Sequence, residues 1–389
     1  MHLLIIYTGE FKTKIFPLGG KFELDQALIL KKSGIKVGIL APGLLSVRRL
    51  LKPYPYNPHQ IYEGVPVVRS FKKNLFPARI NLYNLLLAKK YKKFGLNLFK
   101  KYIKTYGLPD IIHAIDIRFG AYVASEISKR YNIPFITSEY SSELAENTFP
   151  KSLKKSILPI LKKSKFVSAA SKPFANVVKK KLGLKKKVYP FYPVLPLDIF
   201  EEKIIKKKIK KKKFIFLTVN RLDKNKNIKL ILEAFSKEFR KKNAILKVVG
   251  DGVLLKSLKK LSINLNIDKQ TIFINKASRE RMKKEMRNAD CFLSSSFHET
   301  FGVVLIEALA YGIPVISTNS EGAREILNKF NGILINQNDL LGYKNAMLKI
   351  FLGKFKYKKI KLRKDIINRF GPSKFVKNAK EIYKKALTK

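Results

Sequence analysis

A single cysteine, Cys291, stands in a chain of 389 residues. It excludes an internal disulfide framework and a cysteine-rich metal site, and it fits a cytoplasmic protein. No stretch reaches the roughly eighteen uninterrupted apolar residues that spanning a bilayer requires. The apolar N-terminus, MHLLIIYTGEF, lacks a basic leading segment and a small-residue cleavage site, so it reads as a first strand and not as a signal peptide. Acids are scarce: 28 Asp+Glu face 81 Lys+Arg, giving a net charge of +53. Disorder is excluded all the same, because 46% hydrophobic residues suffice for full-sized cores. Such a charge favours anionic partners, whether nucleic acid, anionic lipid or phosphorylated substrates. No nucleic-acid recognition motif accompanies it. Two sources of the charge remain: AT-rich coding, whose mark is Lys far above Arg with frequent Ile and Asn, and an anionic membrane surface, which gains about 1 kcal/mol per basic residue.

What is present is β/α alternation at a length that suits two domains. In the first half, strands are expected at 2–7, 37–40, 65–68, 110–114, 134–138 and 166–169, with helices at 21–33, 79–107, 151–164 and 173–182. Residues 42–78 otherwise read as irregular, with Pro53, Pro55 and Pro58 crowded together. The second half starts a fresh pattern, with strands at 214–219, 245–249, 271–274, 290–294, 314–318 and 332–335 and a closing helix at 372–387. The expected architecture is α/β: two Rossmann-like, doubly wound domains facing across a cleft. The first covers 1–190, a proline-marked and basic linker 191–213, and the second 214–370. Residues 371–389 form a C-terminal helix that packs back on the first domain.

Residues 294–312, SSSFHETFGVVLIEALAYG, organise the rest. Ser294, Ser295 and Ser296 break a buried strand and suit the capping of a helix. Gly312 and Pro314 stop that helix. Gly302 lets a ligand approach the backbone, and a helix N-terminus attracts phosphate through its free N–H groups. A ligand with a central diphosphate would lie over Gly302, Val303 and Val304, with one arm towards Glu299. The other would reach Glu307, about 7 Å along the axis at 1.5 Å per residue, where a carboxylate suits a ribose diol. An ordinary core helix with a capping Glu299 and a snorkelling Glu307 would also produce this window. At the end of the strand 214–219, Arg221 offers a planar fork to phosphate oxygens and Lys226 a movable charge; both are also common surface residues here. Gly250 and Gly252 form a strand-end turn that either only connects or borders the nucleotide. Gly19 and Gly20 mark a strand-to-helix turn, tight for its own sake or open to a phosphate or sugar.

Arg221 with Lys226, Gly250-Asp251-Gly252, and Glu299-Thr300-Phe301-Gly302 followed by Glu307 stand in the order and spacing of glycosyltransferase family 4. The chain resembles that family along essentially its whole length, most strongly over 214–335. The resemblance implies a retaining, nucleotide-sugar-dependent enzyme of the GT-B fold. It implies that Arg221 and Lys226 grip the donor diphosphate, Glu299 holds hydroxyls of the donor sugar, and Glu307 holds the nucleotide ribose. It makes Gly302, Val303 and Val304 the phosphate contacts, and Gly19 and Gly20 a glycine loop closing over the donor. No metal or other cofactor is implied, and no Asp-x-Asp pair is present. Three positions depart from the family pattern. Ile115 follows His113-Ala114 where a second histidine is common, Tyr140 stands where Ser138-Glu139 would precede a histidine, and Phe191-Tyr192 follows Pro190. His113, Asp116 and Glu139 are the acceptor-side candidates, His113 being equally a core histidine.

The expected function is transfer of a sugar from a nucleotide diphosphate sugar to a polysaccharide or lipid-linked acceptor in bacterial surface polysaccharide synthesis. The expected setting is the cytoplasm, at the inner face of the plasma membrane. The rivals are a nucleotide-sugar epimerase of similar fold and a basic nucleic-acid-binding protein.

Overall fold

The computed structural model describes residues 1–9, 19–46, 59–74, 81–195, 198–201, 213–275 and 277–388. The chain divides into two compact units, Met1–Pro196 with Pro372–Lys389, and Leu197–Gly371. Both are parallel α/β sheets flanked by helices. The loop before Gly19, the prolines 53, 55 and 58, and the basic run over 202–212 lie outside the described residues.

The first unit holds strands β1 (His2–Tyr7), β2 (Lys36–Ser46), β3 (His59–Tyr62), β4 (Val65–Asn74), β5 (Ile111–Ile115), β6 (Phe135–Glu139), β7 (Val167–Ala169) and β8 (Val188–Pro190), in sheet order β3-β4-β2-β1-β5-β6-β7-β8. All neighbours are parallel except β3 with β4. The central strands are buried on both faces, which is why β1 carries the unbroken run Leu3–Ile6 and β5 is apolar but for His113. Two elements escaped the sequence reading. Glu63 and Gly64, with φ of 45° and 77°, close a β3–β4 hairpin inside the stretch expected to be irregular. Strand β8 is short and ends on Pro190 at the sheet edge, the position proline tolerates.

Residues expected to begin a linker are packed instead. Phe191, Val194 and Leu195 are buried in the first unit. Phe191 meets Phe375 and Tyr383 of the C-terminal helix Pro372–Thr388 at ring separations of 5.7 and 6.2 Å. A helical turn, Asp198–Glu201, opens the second unit.

The second unit holds β9 (Phe214–Val219), β10 (Ala244–Val249), β11 (Thr271–Ile274), β12 (Cys291–Ser294), β13 (Val315–Thr318) and β14 (Gly332–Ile335), in order β11-β10-β9-β12-β13-β14, all parallel. The order turns back between β9 and β12, the place where open α/β sheets bind ligands at their carboxyl ends. Rings hold β9 firmly there. Phe216 packs on Phe239 at 4.9 Å, Phe239 on Phe235 at 5.3 Å and on Phe351 at 5.3 Å. Each such pair adds about 0.5–1.5 kcal/mol beyond its buried area. Helix Lys359–Phe370, not anticipated, buries Leu362, Ile366 and Phe370 at fourfold spacing.

Candidate active site

In the second unit, three strand-end loops are tied into one rim. Ser295, fully buried, donates its hydroxyl to the carbonyls of Lys226 and Asn227 at 2.8 and 2.9 Å. Asn225 donates to the His298 carbonyl at 3.0 Å and accepts from the His298 N–H at 2.9 Å. Thr318 donates to the Ser296 carbonyl at 2.7 Å. Glu321 accepts from the Glu299 N–H at 3.4 Å and faces His298 Nδ1 at 3.3 Å. The serines thus fasten loops and do not cap the helix. The cap is Gly302, left-handed at φ 93°, with no side-chain cap bond. A hydroxyl cap needs extended backbone at the capping position, and the left-handed turn at Gly302 takes that place.

On this rim Lys226 Nζ meets Glu299 Oε2 at 2.6 Å across 73 residues of sequence. Both side chains are less than a fifth exposed, so the pair is more than a solvated surface contact. Arg221, on the same loop, is 72% exposed and pairs with Asp223. Helix Val303–Ala310 begins one residue after Gly302. As the first two N–H groups of a helix, those of Val303 and Val304 have no intrahelical acceptor. Glu307, buried on this helix, accepts from Arg279 Nη1 at 2.7 Å through Oε1. Burial pushes its carboxyl above the usual range, and Arg279 works against that rise. Arg279 also grips Asp198 through Nε and Nη2, each at 3.1 Å, and Lys283 reaches Asp198 at 3.0 Å. Burial works against the ionised Asp198, but its bonds to Arg279 and Lys283 hold its carboxyl below the usual carboxylate range.

Gly250 and Gly252 have a packing reason for being glycine. At φ 145° and 157°, their added Cβ atoms would lie 1.8 Å from the Asn220 carbonyl oxygen and 2.4 Å from that of Leu222. The turn after β10 therefore lies flat against the loop that carries Arg221 and Lys226. Gly322 does the same for the other side: its Cβ would lie 2.0 Å from the Phe301 carbonyl, and its N–H donates to the Glu299 carbonyl at 2.6 Å.

In the first unit a pocket of about 330 Å³ opens at the carboxyl ends of β1, β5 and β6. Glu23, Asp116, Glu139 and Glu143 line it with Arg118, Tyr7, Tyr91 and Tyr140. Burial raises Glu23 to about 7 and Glu139 to about 8. Arg118 pairs with Glu143 at 2.5 Å. Asp116 is otherwise committed. Its carboxylate accepts from the Thr8 hydroxyl and from the N–H groups of Arg118, Phe119 and Gly120, and so holds the start of helix Gly120–Tyr131. His113 is absent from the pocket wall. It is fully buried, bonds Ser138 Oγ at 2.7 Å and Tyr383 Oη at 2.9 Å, and burial lowers it to about 3, so it is a neutral core histidine. This removes His113 from the acceptor side: with both ring nitrogens engaged inside the core, it has none to offer a ligand. Gly20, at φ 65°, starts helix Lys21–Lys32, and Gly19 precedes it in a turn.

Sequence reasoning placed Glu321 on this rim through the junction Glu321-Gly322-Ala323-Arg324-Glu325, but it missed Arg279, Asp198 and Glu23. These three stand in no motif, and Arg279 is one cation among 81. Among the described residues no group of three or more His, Cys, Asp or Glu is arranged to hold a metal ion. Nor is any helix among them long and apolar enough to cross a membrane.

Two parallel-sheet α/β units in one chain are the architecture of the GT-B class. HepE of Anabaena in complex with UDP and glucose has this fold, at a TM-score of 0.73 and 16% identity, covering 99% of each chain. Residues 199–369 match the family described as glycosyl transferases group 1. The N-acetyl-alpha-D-glucosaminyl L-malate synthase of Bacillus anthracis is 23% identical over 91% of this chain and 90% of its own. The putative teichuronic acid biosynthesis glycosyltransferase TuaC of Bacillus subtilis is 24% identical over 84% of each. The chain has the GT-B fold and is similar to glycosyltransferases of the family 4 kind, the match to glycosyl transferases group 1 lying over residues 199–369.

Proposed function

We propose that the chain is a retaining glycosyltransferase that moves a sugar from a UDP-sugar to a polysaccharide or lipid-linked acceptor. The observation that carries the donor side is the Lys226–Glu299 pair beside the Gly302-capped helix, with Glu307 five residues along it. In this reading Lys226, Arg221 and the N–H groups of Val303 and Val304 take the diphosphate. Glu299 accepts from hydroxyls of the donor sugar, and Glu307 accepts from the ribose diol. Gly250 and Gly252 set the height of the cationic loop. The UDP of the Anabaena neighbour supports uridine as the nucleotide.

The reaction breaks the bond between the sugar's anomeric carbon and the diphosphate oxygen, which leaves with the electron pair. The acceptor hydroxyl attacks from the same face, and its proton passes to the departing phosphate oxygen. Arg221, Lys226 and the helix terminus stabilise the charge that develops there, a contribution of roughly 3–4 kcal/mol for a well-placed donor. No cofactor is required for this step.

The pocket of the first unit is the acceptor's place in this proposal. Glu23 and Glu139 carry protons over much of the neutral range, so they can donate to sugar hydroxyls as well as accept. Such a wall suits a hydroxyl-rich or amine-bearing ring. It disfavours a dicarboxylate such as the malate in the name of the Bacillus anthracis relative. The net charge of +53 supports a cytoplasmic enzyme working peripherally on the inner face of the plasma membrane, where anionic lipid holds it.

Product analysis tests the proposal. With a UDP-sugar and a panel of saccharide and lipid-linked acceptors, the new bond should keep the donor's anomeric configuration in its proton NMR coupling. An inverted product refutes retention. Release of a free, altered sugar without an acceptor identifies an epimerase instead.

A further inference from the structure

We propose that Arg279 is a positioning residue for the donor nucleotide: locked by Asp198, it fixes one oxygen of Glu307 and leaves the other free for the ribose. This rests on the ribose role of Glu307 proposed above.

The guanidinium is held on two sides. Its Nε and Nη2 edge lies on the Asp198 carboxylate at 3.1 Å each, the fork geometry that makes arginine rigid. Its remaining Nη1 points one hydrogen bond, 2.7 Å, at Glu307 Oε1. Among the described residues no group donates to Oε2. Glu307 thus has one oxygen engaged by the protein and one to offer, which is what a carboxylate needs to receive a diol in a fixed orientation.

Arg279 also occupies a place that electrostatics alone would not choose. It is the first residue of helix Arg279–Asn288, where the helix dipole favours acids over cations. Two carboxylates from separate parts of the chain, Asp198 and Glu307, offset that. Lys283, one turn further on, reaches Asp198 at 3.0 Å and also pairs with Glu280 at 3.0 Å.

The groups facing Glu307 can be named from each packed element. Arg279 favours its ionised form and Asp198 opposes it. On helix Lys359–Phe370, Arg363 bonds the Ala310 carbonyl at 2.7 Å and Arg369 bonds Asp365 at 3.1 Å and the Ile326 carbonyl at 2.9 Å. On helix Glu321–Ile326, Glu321 faces His298. Arg279 is therefore the cation that offsets the burial of Glu307. Without it, the carboxyl holds its proton to higher pH and loses its fixed orientation.

The test titrates UDP, with GDP and ADP as parallel probes, into wild type, Glu307→Gln, Arg279→Met and Arg279→Lys at roughly pH 6 and roughly pH 9, either side of the range a raised carboxyl covers. Arg279→Met should weaken the nucleotide about ten- to a hundredfold at the lower pH, the size of losing a charged hydrogen bond. Part of that loss should be recovered at the higher pH, where Glu307 ionises again. Arg279→Lys should lose less, and it decides the question alone if Arg279→Met does not fold. Glu307→Gln should be weakened at both pH values. If Glu307→Gln is weakened but both Arg279 variants bind as wild type, the positioning role is overturned and the ribose role stands. If Glu307→Gln itself binds as wild type, the ribose role falls and this inference with it. A loss in the Arg279 variants that is equal at both pH values, with a lowered melting temperature, assigns Arg279 to structure alone and overturns the proposal.

Discussion

Replacing Gly250 by alanine should damage both the stability of the second unit and its catalysis, and the size follows from two terms. The backbone there has φ 145°, where a side chain costs about 1–2 kcal/mol. The new Cβ would also lie 1.8 Å from the Asn220 carbonyl oxygen and 3.0 Å from its carbon. Both are backbone atoms that cannot rotate away, so relief requires a backbone shift, typically about 1–3 kcal/mol. The sum is about 2–5 kcal/mol. At roughly 2–4 °C per kcal/mol for a unit of this size, the melting temperature should fall by about 7–14 °C for a mid-range effect. Gly353 is the matched control in the same unit: φ is 68° and nothing lies within 4 Å of its Cβ. Gly353→Ala should cost only the conformational term, about 1 kcal/mol, or roughly 2–4 °C. Activity adds a second reading. The shift displaces the loop carrying Arg221 and Lys226, and a misplacement of about 1 Å can cost about a hundredfold in rate. Scanning calorimetry with steady-state kinetics on both variants measures this. The reasoning is refuted if Gly250→Ala melts no lower than Gly353→Ala, or if it melts lower with its kcat untouched.

Three further outcomes are expected. Arg221→Ala should lower turnover at least about a hundredfold, as loss of an oxyanion-type contact does; a change below about threefold counts against a phosphate role. The first unit should lose stability as pH rises from roughly 5 to roughly 8. Glu139 has a folded pKa of about 8, above its unfolded value, so the folded state binds the extra proton over that window and stability falls with pH until the carboxyl ionises. Glu139→Gln should flatten that slope in melting curves, and an unchanged slope removes Glu139 as its source. Vesicles containing anionic lipid should sediment the protein and high salt should release it; absence of sedimentation leaves coding bias as the account of the charge.

The parallel strands were legible because strands buried on both faces are written as unbroken apolar runs, such as Leu3–Ile6 and Cys291–Leu293. The β3–β4 hairpin was not, because Glu63 adopts positive φ without the Asn or Asp that usually announces it. Helix Lys359–Phe370 hid its three buried positions among lysines. Within the site, Lys226, Glu299, Gly302 and Glu307 could be read because each stands at a strand end or on one apolar helix. Two readings changed with the structure in hand. The serines 294–296 resemble a cap in sequence, yet tertiary hydrogen bonds claim Ser295 and the Ser296 carbonyl. His113 stands at a strand end, as a ligand residue would, yet Tyr383 from the far end of the chain closes over it. The Asp198–Arg279–Glu307 chain joins three distant segments, and no local spacing encodes it.

The central claim is that the helix beginning at Val303 and its Glu307 receive a nucleoside diphosphate sugar. Calorimetric titration of UDP-, GDP- and ADP-sugars into wild type and Glu307→Ala tests it most directly. One nucleotide class should bind wild type at one site per chain, and that binding should be lost in Glu307→Ala while the variant remains folded. Equal affinity in the two proteins, or no binding to wild type by any of the three classes, would contradict it.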